Sequence, residues 1–139
     1  MDSSKRDELL SVIGDVNDRE EGHVLVTLEQ FFEGNDDPGS IWCNLEAAPE
    51  PREVYQKLKT IREREGCADV RIMVTQFDGG DNEWPFSDCV FFITSAAPQD
   101  VQSWLGEDFV PDEIDFDDLS QVDNISVPSG MNAIAAWWD

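Results

Sequence analysis

Basic residues are missing from the second half of this chain. Every Lys and Arg lies at or before Arg71, and residues 72–139 hold 14 carboxylates with no base among them. Over all 139 residues, 31 Asp and Glu face 9 Lys and Arg, a net charge of -22 with the lone His23 neutral. A field of this sign repels nucleic-acid phosphates and anionic membranes and attracts basic surfaces. Apolar runs of membrane or signal-peptide length are missing too. Cys89–Ile93 is only strand length, so the expectation is a cytoplasmic protein with no membrane or nucleic-acid partner.

Cysteine is scarce. Cys43, Cys67 and Cys89 stand at unrelated spacings that make neither a disulfide framework nor a zinc pattern. Cys43 and Cys89 sit inside apolar runs and read as buried thiols. His23 has no nucleophile beside it in sequence, and the chain has no Gly-rich phosphate loop, no Gly-x-Ser-x-Gly elbow and no His-Glu-x-x-His. These absences leave no catalytic residue and no cofactor to assign.

Core material is plentiful. Hydrophobic residues make up 40% of the chain and aromatics 10%, including 5 Trp and 8 Phe, enough for one packed domain. Leu9, Leu10, Val12 and Ile13 follow a Ser-rich start and predict a helix over 4–13, capped by Ser3 or Ser4 and ended near Gly14. Residues 24–26 read as a short strand. Thr27 and Gln30 then have capping-box spacing before Leu28, Phe31 and Phe32. A strand is expected at 41–45. Pro51 opens the clearest helix, with Val54, Leu58 and Ile61 at helical spacing and Gly66 as its stop. Five of the nine bases lie on or just after it: Arg52, Lys57, Lys59, Arg62 and Arg64.

Val70–Phe77 alternates as a strand, and Cys89–Thr94, apolar on both faces, reads as a central one. Pro98–Leu105 is a short helix ended by Gly106. Residues 107–131 read as an acidic, turn-rich wrap, anchored by Phe109, Ile114, Phe116 and Leu119, with at most a turn of helix at 112–119. Residues 133–138 close the chain as a strand, on which neighbouring Trp137 and Trp138 must point to opposite faces. From Ile41 onward this order predicts an α+β fold: a ferredoxin-like βαββαβ sheet with helices on one face, plus an N-terminal helical extension. Another mixed α/β sandwich is the alternative. The expected division is a helix and linker over 1–22 and a single domain over 23–139.

Two acidic stretches are candidate surfaces. Asp78, Asp81, Glu83 and Asp88 share a long loop between strands, the kind of loop that carries function. Carboxylates so spaced can bind calcium or magnesium. The EF-hand pattern fails, however, because Gly80 holds the third position and Glu83 the sixth. No metal is assigned. In the same loop Trp84 and Phe86 read either as interface anchors or as plugs for the sheet edge, with Ser87 or Asp88 tying the loop down. Asp112, Glu113, Asp115, Asp117 and Asp118 form the second stretch, able to cover a cationic site as phosphate would. Asn35–Asp37 offers a carboxylate pair, in a turn where such side chains usually bond their own backbone.

At Gly34-Asn-Asp-Asp-Pro-Gly-Ser-Ile41 and Trp84-Pro-Phe-Ser-Asp88, and in its Trp-Trp-Asp ending, the chain resembles a family of small uncharacterised bacterial proteins. The resemblance runs from about Val24 to Asp139. It implies a bacterial-type cytoplasmic protein and no catalytic residue.

The charge therefore points to a non-enzymatic binding protein, an immunity-type or inhibitor-like partner of a basic protein. Two alternatives stay open: a metal-dependent enzyme using the acidic loop at 78–88, and a homo-oligomeric structural or regulatory protein joined through the tail tryptophans.

Overall fold

The computed structural model describes residues 1–14, 25–42, 49–76, 83–119 and 125–138. His23, Cys43, Asp78, Asp81 and the linker at 15–22 lie outside them. The elements run α1 (Ser3–Ile13), β1 (Leu25–Thr27), α2 (Leu28–Phe32), α3 (Pro51–Arg62), β2 (Cys67–Met73), β3 (Cys89–Thr94), α4 (Pro98–Leu105), a 3-10 turn at Glu107–Phe109, β4 (Glu113–Asp117) and β5 (Asn132–Trp137). They make a mixed α+β fold in which one five-stranded sheet has the order β1-β2-β3-β5-β4, each neighbouring pair antiparallel.

This is not the ferredoxin-like order. That motif would seat a strand at 41–45 beside β3, but β5 occupies the place. Ile41 makes only an isolated parallel bridge to Ser87, and residues 43–45 lie outside the described residues. β5 suits the position. Its Ala133, Ile134, Ala135 and Ala136 are buried on both faces, as an interior strand requires.

The expected helix layer is present. Leu9 and Ile13 of α1, Phe31 of α2, Leu58 of α3 and Val101 of α4 share one cluster with Val70, Ile72, Val90 and Phe92 of the sheet. All four helices therefore cover the same face. The spacing of Val54, Leu58 and Ile61 puts all three against the sheet, each burial contributing about 1.5–3 kcal/mol. The opposite face carries Leu25, Met73, Phe91 and Ala135, covered by Leu119, Ile125, Val127 and Met131 of the segment joining β4 to β5. Trp138 packs on the helical side and Trp137 on the other, as strand alternation demands.

Local chemistry explains most boundaries. Asp2, rather than Ser3 or Ser4, caps α1: its carboxylate accepts the N–H groups of Ser4 and Lys5 at 3.0 and 3.1 Å. The Thr27–Gln30 capping box forms in both directions. α3 ends at Arg62, before Gly66, whose φ of 86° turns the chain into β2. β2 runs Cys67–Met73 instead of 70–77. The largest departure is β4, a strand where a turn-rich wrap was expected.

Candidate functional site

Among the described residues, β4 stands at the end of the sheet and pairs only with β5. Its sequence, Glu-Ile-Asp-Phe-Asp, alternates with period two, so Ile114 and Phe116 fall on the helical face and Glu113, Asp115 and Asp117 on the other. The register sets this: Ile114 and Phe116 lie opposite the core residues Ala136 and Ile134, while the three acids lie opposite Trp137, Ala135 and Ala133. Ile114 reaches the core, but Phe116, expected as an anchor, is 55% exposed because β4 lies at the rim of the sheet.

Two of the acids bond nearby backbone, one within the strand and one just past its end. Asp115 Oδ1 accepts the N–H of Phe116 at 2.8 Å, and Asp117 Oδ1 accepts the N–H of Leu119 at 2.8 Å. In an antiparallel ladder, alternate residues direct their amides to opposite sides. The Phe116 amide is held by a neighbouring carboxylate instead of by β5, so Phe116 and Ile114 direct their backbone groups away from the sheet. Among the described residues, β4 thus ends the sheet with its Phe116 amide turned outward and taken by Asp115.

The candidate residues divide accordingly. Glu113 and Asp115 are exposed and Asp117 half-buried on β4, with Asp112 and Asp118 flanking it. Glu83, Trp84 and Asp88 lie elsewhere, at the described end of the long loop. There the Glu83 carbonyl accepts Arg6 Nε at 2.8 Å, and the Trp84 N–H donates to Asp37 Oδ2 at 3.1 Å. Trp84 is 1% exposed and packs in the core, so the plug is the reading that its position fits. Ser87 ties the loop: its hydroxyl donates to the Cys89 carbonyl, its oxygen accepts the Cys89 N–H, and its own N–H donates to the Ser40 carbonyl. The loop at 35–40 is likewise internally bonded, with Asp37 Oδ1 accepting the Gly39 N–H at 2.9 Å and Asn35 Oδ1 the Asp37 N–H. The two motifs are therefore neighbours in space through Ser40, Ser87, Asp37 and Trp84.

Several of the described cations are held elsewhere. Arg62 forks onto Glu29 at 2.8 and 2.7 Å, and Arg71 Nε meets Asp69 at 2.6 Å. Lys59 lies over the Tyr55 ring and Arg64 over Trp104, at 4.2 and 4.5 Å. Arg62 draws the Glu29 carboxyl below its ordinary range. Burial raises both described thiols, Cys67 and Cys89, which makes them poor nucleophiles. Among the described residues no group of three His, Cys, Asp or Glu is placed to hold a metal ion, and no helix is long and apolar enough to cross a membrane.

This fold, with its tied loops and its acidic rim, falls within a recognised family. The model of the uncharacterized protein YfbO family matches residues 4–136, and the chain belongs to that family. It is 38% identical over 134 residues to the uncharacterized protein YfbO of Escherichia coli (strain K12), an alignment covering 95% of this chain and 94% of that protein. No solved structure matches.

Sequence reasoning did find the carboxylates of the rim. It missed the strand that carries them, and with it Ile114 and Phe116 as parts of one surface. The signal was the strict alternation over 113–117, masked by the low strand propensity of Asp and Glu.

Proposed function

We propose that the protein is a non-enzymatic binding protein that docks a basic protein on its β4 rim. The observation that carries this reading is the gathering of Glu113, Asp115 and Asp117 on one side of an exposed edge strand, flanked by Asp112 and Asp118. The base-free half of the chain adds to it, since residues 72–139 bring no lysine or arginine to this rim. Complementary charge speeds encounter and makes association sensitive to salt.

The test is a pull-down with immobilised protein from a bacterial extract, at low and at high salt, beside the variant Glu113→Gln/Asp115→Asn/Asp117→Asn. The reading expects a basic protein retained at low salt, released by salt, and retained less by the variant. Retention of no basic protein at low salt, or equal retention by the variant, overturns it.

A further inference from the structure

An open sheet edge offers more than charge. We infer that β4 is the docking strand for an extended segment of the basic partner, which adds to the sheet as a sixth strand and draws the Asp115 carboxylate off the Phe116 amide. The inference rests on the proposed function and names its mode of recognition.

Three observations carry it. Among the described residues, β4 is a terminal strand paired on one side only. The Phe116 N–H, directed outward, is occupied by Asp115 Oδ1 at 2.8 Å. Phe116 itself, although it shares the apolar face of the strand, is 55% exposed. An added strand would offer a carbonyl to the Phe116 amide and an apolar side chain to the Phe116 ring, at the usual cross-strand separations.

The occupant follows from charge complementarity and spacing. Glu113, Asp115 and Asp117 repeat every second residue on one face, about 7 Å apart along the strand. A paired strand meets them with its own alternate residues, so the matching sequence has Lys or Arg at every second position and apolar residues between. A cation opposite Asp115 supplies the partner its carboxylate needs to leave the amide. A neutral or acidic strand supplies none and finds the edge capped. The same contact that protects the edge thereby selects what opens it.

The test uses the full chain and three synthetic peptides: alternating Lys and Val, the same peptide N-methylated on the amides of one edge, and a helix-forming Lys/Ala peptide of equal charge. The alternating peptide should bind at least about tenfold more tightly than either control, tenfold being the weight of one to two hydrogen bonds. It should also slow hydrogen exchange at the Ile114 and Phe116 amides. Phe116→Pro, which deletes the outward N–H while keeping every charge, should abolish the preference for the alternating peptide over its methylated form; Phe116→Ala, which keeps the N–H and loses the ring contact, should weaken binding of the alternating peptide without abolishing that preference. With a fourth peptide, alternating Thr and Val, Asp115→Ala should give binding where the parent protein gives none, still weaker than that of the Lys/Val peptide because Glu113 and Asp117 remain. Equal binding of the methylated and unmethylated peptides, with no added protection at 114 and 116, overturns strand addition and leaves charge-driven docking standing. Failure of all three peptides to bind at low salt overturns both. The methylated peptide acts on the unaltered protein, so the outcome stands whether or not the variants fold.

Discussion

The two edges of the sheet are built on opposite principles. β1 has three residues, Leu25 and Val26 among them fully buried, and the chain turns straight into α2 through the Thr27 capping box. β4 has five residues, carries three acids and leaves Phe116 in solvent. An edge strand exposes a row of amides to any passing chain. At β1 the strand is short, and its last N–H, that of Thr27, is taken by Gln30 Oε1 at 2.9 Å. At β4 the Asp115 carboxylate does this work. The first edge belongs to the core, whereas the second carries its acids and Phe116 toward solvent.

The sharpest way to break this comparison is truncation at each edge. Leu25→Ala should cost about 2–5 kcal/mol, since a fully buried leucine loses both its contacts and its burial. Phe116→Ala, although it removes more atoms, should change stability by no more than about 0.5 kcal/mol because the ring is largely in water. Urea denaturation of both variants measures the difference. Equal losses would mean that β4 is as much a part of the core as β1.

The β1 side is also braced from outside the sheet. Gly34, just after α2, has φ 82° and accepts the Asp2 N–H, and a Cβ placed there would stand 2.7 Å from Asp2 Cβ and 2.9 Å from Lys5 Cβ. Gly34→Ala should therefore push α1 away and cost about 1–3 kcal/mol through backbone strain and lost packing. Hydrogen exchange should show the loss at Leu9 and Ile13 and spare β4.

Much of this contrast was legible in the sequence, and the part that was not has a physical cause. The helix at 51–62 was clear because Val54, Leu58 and Ile61 repeat on one face, and the central place of 89–94 because it is apolar on both. β1 was readable as a strand but not as a member of the sheet, since three residues do not say whom they pair with. β4 was lost because its alternation is carried by Asp and Glu, which seldom form strands, and because Ile114 and Phe116 look like anchors of a loop. The sheet order followed the same error: a missing strand between α4 and β5 leaves a residual pattern that matches the split βαβ motif. The carboxylates of the site were found from charge alone. Their common face was not, because only the register opposite β5 fixes it.

A smaller effect separates the edges by pH. Arg62 of α3 forks onto Glu29 of α2 and thereby ties the helix that continues β1. It lowers the Glu29 pKa below the ordinary 4.5. A depressed carboxyl contributes stability that is complete above its unfolded value and is lost as pH falls below 4.5 through the lowered one. Glu29 is 41% exposed, so screening limits the contribution to about 0.5–1 kcal/mol. Glu29→Gln should lose this amount at pH 7 and show a shallower decline between pH 5 and 3 than the parent protein. A parallel decline would sink the assignment.

The smallest expected effect belongs to β4 and has the opposite sign. Glu113 is exposed, and it stands two residues from Asp115, which is itself two residues from Asp117, all on one side of the strand. Like charges at such spacing repel, in a protein whose net charge is already -22. Glu113→Gln removes one of them while leaving the amide cap made by Asp115 in place. Stability should rise by a few tenths of a kcal/mol at low ionic strength, and the gain should vanish near 0.5 M salt, where screening acts within about 4 Å. Thermal melts of parent and variant across a salt series measure it. A loss of stability at low salt would mean that Glu113 already has a cationic neighbour, and the rim would then be a satisfied surface with nothing to attract a partner.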